Sequence, residues 1–526
     1  NLFMSKQASH NFNSPPSNTE YSEQVDDVVT KLLNLFVTSQ QLIESPEQQS
    51  KRKEIINDLE QKISQWVYDT YNKMYSQYMS NYRITNPATR LAFIQPYGSY
   101  FLETHNSASD IDTVVIFPNY VSEQTFFETF PFLLRQTRGV TKAESITKAK
   151  HPILNVIYNG SRMEIDIQPA KLSSSTINRQ LDWLDPLYFD DCSLKSKQVL
   201  SAITTNARVK KMMEDLGLFQ VFQQFVRILK YGFDQMLISG NKIGYFGGIN
   251  IVLLAANVMF ISQRKMTLCQ YVYAFLEYYC RYDFRKPVIL CEDVGYIPKE
   301  SAMQIVTTTK PEINSTAKVN DSTKTVIQRQ LNEARKSFEY MVKLVATALR
   351  NDTSKILLKP ALCKMIFCKL VAPKKVEGAP IYKLMEYSSF FFKDPELKNV
   401  LMIQLVSTNK ELVDKVKEKL EPLLVFLLKS LEELKSEVAG IYARISFTRP
   451  RPGWKETQDG DKFKSSFYIG IAKTEGDKDW LIEKLQAVNK NFRVKCRTSM
   501  ELEEVEIQNV VMDMKIEIVN QKQLQE

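Results

Sequence analysis

The sequence has little of what would tie it to a zinc ion, a disulfide framework or a bilayer. It holds seven cysteines and only three histidines in 526 residues. The cysteines, at 192, 269, 280, 291, 363, 368 and 496, never form a Cys-x-x-Cys pair. Neither a zinc site nor a disulfide framework is therefore expected, and a reducing interior is the simpler setting. No apolar run reaches the ~18–20 residues of a membrane helix, so no membrane partner is expected. The opening residues, NLFMSKQASH, show neither a basic nor an apolar region, which predicts no secretory signal. No internal repeat is visible.

What is present is an ordinary soluble composition, 44% hydrophobic and 25% charged. The length predicts two to four domains. The net charge of +9 is unevenly spread: residues 1–60 carry −4 and the remainder +13. A basic body behind an acidic head favours a polyanionic partner.

Residues 1–24, with NSPPSNTE near the middle, read as disordered. From Val25 to about Met79 the apolar spacing is helical. Short strand-like runs follow in LAFIQPYGS, IDTVVIF, PILNVIYN and MEIDIQP, divided by Gly, Pro and Asn. Together they make a mixed α/β domain over 25–190. Residues 191–350 read as a helical middle domain. There LFQVFQQFVRILKYGFDQMLIS repeats its apolar residues at three and four, and INIVLLAANVMFIS, opened by Gly247 and Gly248, is apolar all round. Over 351–526 the order changes to strand, long amphipathic helix interrupted by Pro422, two strands, helix and strand. That βαββαβ order suits a ferredoxin-like or RRM-like sheet with two helices on one face. The fold class expected is α+β with several domains.

The chemistry is concentrated in PYGSYFLETHNSASDIDTVVIF, residues 96–117. Alternation along a strand points Asp110 and Asp112 the same way, with Cα atoms roughly 6–7 Å apart. Two carboxylates that close repel unless a cation joins them, and Mg²⁺ takes oxygen ligands together with substrate phosphate. Gly98 permits a tight backbone and close approach to a phosphate, and Ser99 offers it a hydroxyl. YFLETH is expected to form a short helix whose N-terminal amides face the same phosphate. A second strand, RMEIDIQPAKL, places Glu164 and Asp166 on one face, and periodicity does not choose between them. Acidic groups from two strands beside a phosphate-binding turn make a centre for two-metal phosphoryl or nucleotidyl transfer. Asp459-Gly460-Asp461 repeats the Asp-x-Asp spacing but reads as a plain loop.

Gly-Ser, then Asp-x-Asp, then a third Asp resembles the DNA polymerase β-like nucleotidyltransferase superfamily. Within it, YGSYFLETHNSASDID is similar to the stretch around the first two metal ligands of the eukaryotic nuclear poly(A) polymerases. GYFGGIN resembles that family's Gly-Phe-Leu-Gly-Gly-Val-Ser, and TTTKPEINSTAKVNDST its Thr-Pro…Asn-Ser-Thr…Val segment. SSFYIGIA sits where the family's C-terminal RRM-like domain has Trp-x-Ile-Gly-Leu. The resemblance covers about residues 25–526, in order.

It implies a nucleotidyltransferase mixed α/β catalytic domain, a helical middle domain and a C-terminal RRM-like domain. It implies template-independent addition of AMP from ATP to an mRNA 3′ end, with two Mg²⁺ ions that Mn²⁺ can replace. Asp110, Asp112 and Asp166 would be the metal ligands. Tyr97, Gly98, Ser99, Asn106, Lys230, Asn241, Gly248 and Ile249 would contact ATP, with Ser239 standing where the family has a tyrosine. The expected partners are ATP, the RNA end and proteins of the cleavage and polyadenylation complex, with a monomeric chain in the nucleus. Arg449, Arg451, Lys455, Lys462 and Lys464 cluster in one loop, TRPRPGWKETQDGDKFK, and are expected to meet RNA phosphates. The rivals are another terminal nucleotidyltransferase, such as a non-canonical poly(A) or poly(U) polymerase, and an inactive RNA-binding scaffold.

Overall fold

The computed structural model describes residues 21–76, 92–147, 152–158, 163–173, 177, 181–185, 192–262, 264–290, 300–309, 312–350, 359–367, 397–420, 423–433, parts of 443–496, and 511–517. Most of the segment expected to be disordered, residues 1–20, lies outside them. Helix α1 (Glu23–Ser39) begins two residues ahead of the expected Val25, because Ser22 Oγ accepts the Val25 amide at 3.3 Å and caps the helix.

Helix α2 (Pro46–Ser76) follows, and the two helices then part company. Leu59, Ile63 and Trp66 of α2 pack on the first sheet with Phe117, Phe126 and Phe130. Val29, Leu33 and Phe36 of α1 join Phe225, Leu229 and Phe233 in the middle of the molecule. The expected division gave both helices to the sheet domain. Helical spacing tells which face is buried, and α1 shows that it does not tell against what.

The first sheet is built from β1 (Phe93–Pro96), β2 (Ile111–Pro118), β3 (Val140–Ile146), β4 (Ile153–Tyr158) and β5 (Met163–Leu172). Its order is β1-β2-β5-β4-β3, with β2 and β5 parallel and every other pair antiparallel. One-turn helix α3 (Gly98–Phe101) follows β1, and α4 (Glu123–Arg135) lies between β2 and β3. Neither α4 nor β3 was expected. The run FFETFPFLLR is rich in aromatics and contains Pro131, which masks the helical spacing of Phe126, Phe130 and Leu134.

One sheet face, with Ile111, Val115, Ile165 and Ile167, is covered by α2 and α4. The other, with Val114, Ile116, Ala170 and Leu172, is covered by Val199, Leu200 and Ile203 of α5 (Leu194–Asp215). Alternation puts Asp112 and Asp166 on this second face, where fully buried positions give way to half-buried ones.

The helical part comprises α5, α6 (Phe219–Gln235), α7 (Gly248–Ile261), α8 (Leu268–Tyr279) and α9 (Asp321–Arg350). Helix α7 is buried from Asn250 through Met259, as its unbroken apolar sequence predicts. Helix α6 buries Phe222, Phe225, Leu229 and Phe233 and so turns Arg227 and Lys230 the other way. Each fully buried Leu or Phe contributes about 1.5–3 kcal/mol.

In the last part, β6 (Leu397–Ser407), α10 (Lys410–Leu420) and α11 (Leu424–Glu433) come first. The expected long helix is thus two elements, and Pro422 between them lies outside the described residues. Strands β7 (Ala443–Ile445), β8 (Phe447–Thr448), β9 (Arg451–Pro452), β10 (Lys455–Asp459), β11 (Lys462–Ala472) and β12 (Val511–Glu517) complete it. The sheet order is β10-β11-β6-β12, antiparallel throughout, with β7 also on β11. No helix among the described residues is long and apolar enough to cross a membrane.

Candidate active site

The parallel register of β2 and β5 sets Asp112 directly opposite Asp166. Asp110 stands just before β2. Among the described residues these three form the one acidic group able to hold a metal ion, with one oxygen from each lying within 4.8 Å of the others. Glu164 is outside that group. Asn155 of β4, paired with Asp166, joins the two: its Nδ2 donates to Asp166 Oδ1 and to Glu164 Oε1, both at 2.8 Å.

Crowding shows in the electrostatics. The Asp112 carboxyl is pushed up to about 7 by burial first, then by Asp110 and Asp166, with Lys230 opposing. Asp166 is also raised by burial. The Asn155 amide draws it down, Asp110 and Glu164 push it up, and Lys242 draws it down. An all-oxygen donor set of this span, whose carboxylates repel one another, fits a hard divalent cation. Tyr97 remains a neutral phenol, raised by burial and then by the three carboxylates.

Gly98 has φ +68°, a left-handed conformation that glycine takes without strain. The short helix there is one turn, starting at Gly98, and the Gly98 amide donates to Asn206 Oδ1. That amide is therefore spent within the protein, and the helix expected over YFLETH instead covers Gly98–Phe101.

Beside the carboxylates opens a cavity of about 600 Å³. Asn106, Ser109, Asp110 and Glu164 come from the sheet domain. Arg227, Lys230, Asp234, Ser239, Asn241 and Gly248 come from the helical one. The loop after α3 makes the seam between them. Lys230 Nζ donates to Thr104 Oγ1 at 3.3 Å, Gln223 Nε2 to Glu103 Oε2 at 3.1 Å, and Arg227 to the Glu103 carbonyl. Burial brings the Lys230 ammonium down to about 8, against the pull of Asp234 and with Arg227 adding to it, while Asp110 and Asp112 draw it back up.

Of the residues expected at the nucleotide, Asn106, Lys230, Ser239, Asn241 and Gly248 line this cavity. Ser239 donates to Asp234. A Cβ on Gly248 would meet nothing within 4 Å, so this glycine leaves open space at the start of α7. Tyr97 and Gly98 lie against Asp112 instead, and the Ser99 carbonyl accepts the Thr104 amide at 2.8 Å. Ile249 packs against the helical core, and its neighbour Ile251 reaches the cavity. Arg449 lies outside the described residues. The expected single loop is instead broken into strands, with Arg451 on β9, Lys455 on β10 and Lys462 and Lys464 on β11, and Lys462 is exposed.

Asn155 and Asn206 were missed. Asn155 carried a signal, being a lone amide in the apolar run ILNVIY, where a buried polar side chain must have a partner. Asn206 carried none.

Carboxylates gathered on a parallel strand pair, beside a glycine turn and a cleft with a basic far wall, place the chain among the nucleotidyltransferases. The model of the poly(A) polymerase nucleotidyltransferase domain matches residues 13–201, and that of the poly(A) polymerase central domain matches residues 221–348. These take in well over half of the sequence, and the chain belongs to the poly(A) polymerase family.

Among curated relatives, nuclear poly(A) polymerase 3 of Arabidopsis thaliana is 29% identical over 269 residues, 51% of this chain and 51% of the relative. The poly(A) polymerase of Dictyostelium discoideum is 26% identical over 323 residues, 59% of this chain and 38% of the relative. Poly(A) polymerase pla1 of Schizosaccharomyces pombe is 25% identical over 333 residues, 61% of this chain and 56% of the relative. The chain thus spans about half the length of these relatives, or less. A solved structure of Cid1 with its short product ApU overlaps 60% of this chain and 95% of its own at TM-score 0.41 and 13% identity, a likeness that carries no argument.

Proposed function

We propose that the chain is a polynucleotide adenylyltransferase, adding AMP from ATP to the 3′ end of RNA. The observation that carries this is the grouping of Asp112 and Asp166 with Asp110, which itself lines a cavity walled by both domains. Its volume lies in the range that holds a nucleotide-sized ligand. Two Mg²⁺ ions, or Mn²⁺, held by the three aspartates would lower the pKa of the RNA hydroxyl and neutralise triphosphate charge. The RNA 3′-oxygen attacks the α-phosphorus of ATP, the bond from that phosphorus to the α,β-bridging oxygen breaks, pyrophosphate leaves and the hydroxyl proton passes to solvent.

The chain's own residues would bind and orient. Lys230 brings a cation to the cavity wall for the triphosphate. Asn241 and the space at Gly248 would receive the nucleoside. Asn155 would fix the rotamer of Asp166 and leave its second oxygen free. The antiparallel β10-β11-β6-β12 sheet, with α10 packed through Val413 and Val416 against Ile403 and Leu405, supports an RRM-like RNA-binding domain. We keep residues 25–190, 191–350 and 351–526 as the domain division, with α1 serving the second core. A nuclear setting within mRNA 3′-end processing, among proteins of the cleavage and polyadenylation complex, completes the reading.

The test is incubation with an RNA primer, Mg²⁺ and each nucleoside triphosphate separately. Extension with ATP well above UTP, CTP and GTP is expected. Equal extension with UTP would make the chain a different terminal nucleotidyltransferase, and no extension with any of the four would leave an RNA-binding scaffold.

A further inference from the structure

Beneath the loop that carries Asp110 lies a sealed charged cluster that no step of the reaction uses. Arg52, on α2, is 1% exposed, and Glu44, just ahead of that helix, is 4% exposed. Arg52 Nε donates to both Glu44 oxygens, at 2.7 and 3.0 Å. His105 Nε2 lies 3.1 Å from Glu44 Oε2, and the Tyr100 ring packs on the imidazole at 5.1 Å between centroids. Burial holds His105 below the ordinary imidazole range, with Glu44 opposing.

The other end of Arg52 meets backbone. Its Nη2 donates to the carbonyls of Asn106, at 3.3 Å, and Ser109, at 2.8 Å. These are the two ends of a turn that Asn106 and Ser109 also close between themselves. The Ser109 amide donates to the Asn106 carbonyl, and Ser109 Oγ lies 3.1 Å from Asn106 Oδ1. Asp110 follows at once. Asn106, Ala108, Ser109 and Asp110 all face the cavity.

Stability does not explain such a cluster. A buried ion pair is often matched or bettered by apolar residues of similar volume, because desolvation offsets its attraction. Here Arg52 Nη1 also lacks a hydrogen-bond partner among the described residues. A planar guanidinium anchored on a carboxylate is well suited to holding two carbonyls at fixed positions.

We propose that Arg52, anchored by Glu44 and His105, is a positioning residue that pins the Asn106–Ser109 turn and so aims Asp110 at Asp112 and Asp166. This rests on the reading of the three aspartates as metal ligands, and it adds the device that holds the first of them in place.

The test uses the full chain and two variants. Arg52→Lys keeps the charge but cannot span Glu44 and both carbonyls. The double variant Arg52→Met/Glu44→Leu removes both buried charges together and so leaves neither stranded. Mn²⁺ binding is measured by electron paramagnetic resonance without ATP or RNA, beside thermal unfolding and steady-state kinetics. Both variants are expected to bind Mn²⁺ about 10–100-fold more weakly, with kcat falling similarly and KM for ATP changing little. The double variant should melt at or above the parent's temperature. A double variant that folds and binds Mn²⁺ with parental affinity overturns the proposal, whatever Arg52→Lys does. A parent that binds Mn²⁺ but transfers no adenylate overturns the proposed function and leaves this inference standing.

Discussion

Gly98 stands so close to Asp112 that a Cβ placed on it would lie 2.9 Å from Asp112 Oδ2. The left-handed backbone and the carboxylate together exclude a side chain. Gly98→Ala is expected to cost about 1–2 kcal/mol of stability from the backbone alone. By shifting Asp112, it should also lower the transfer rate by about 10²-fold. Urea unfolding and primer extension measure the two effects. A folded Gly98→Ala variant with parental rate would show that Asp112 has room to move.

Asp166 and Glu164 share a strand face but not a role. Asp166→Ala is expected to lose at least ~10³ in rate, and Glu164→Ala less than about tenfold. Asn155→Ala should fall between them, because both carboxylates lose their shared donor and Asp166 rises further. The acid limb of its pH–rate profile should therefore move to higher pH. Primer extension at saturating Mg²⁺ and ATP across pH ranks the three, and the reverse order for the two carboxylates would move the third ligand to Glu164.

Without divalent metal, the raised Asp112 carboxyl makes stability depend on pH. Between the ordinary carboxylate range and about 7 the folded state holds a proton that the unfolded state has lost. Stability should therefore decline as pH rises through that window and level off above it. Mg²⁺ or Asp112→Asn should flatten the decline. Thermal melts from pH 4 to 8, with chelator and with Mg²⁺, test this, and a metal-free profile without the decline would contradict it.

Burial brings Lys230 down to about 8, so it loses its charge as pH rises past that value. ATP affinity should weaken as pH rises through that value. Lys230→Met should bind ATP about tenfold or more weakly, with that pH dependence gone. Titration calorimetry at pH 6.5 and 9 distinguishes the two. An unchanged affinity would place the triphosphate away from α6.

Replacing Arg449, Arg451, Lys455, Lys462 and Lys464 by alanine should weaken RNA binding. It should also reduce the slope of log K against log salt by roughly 0.7 for each phosphate that is no longer neutralised. Fluorescence anisotropy over a salt series reads it, and an unchanged slope would make these strands a solvated surface.

Strand alternation and the Asp-x-Asp spacing made the catalytic sheet and its acidic face legible in the sequence, since both follow from local geometry. Alternation did not choose Asp166 over Glu164, because two residues two apart look alike until β4 is placed beside them, and only the resemblance to the family named Asp166. Asn206 and Arg52 were invisible for a related reason. Their partners are a backbone amide and two backbone carbonyls that only the folded chain brings near. Helix α1 had its buried stripe written plainly, yet the core that receives it lies some two hundred residues further along.

The pairing of Asp112 with Asp166 also sets an order of events in time. Parallel neighbours cannot be joined by a hairpin, and here α4, β3 and β4 all intervene. A growing chain carries Asp110 and Asp112 well before β5 exists to bring the third carboxylate. Pairings of that kind form slowly, because a long loop must close first. A slip of one residue would set Ile165 or Ile167 opposite Asp112 and turn Asp166 to the far side of the sheet. The capacity to hold a cation is thus acquired only when the sheet has closed in register, and a nascent chain that gains it has passed its hardest folding step.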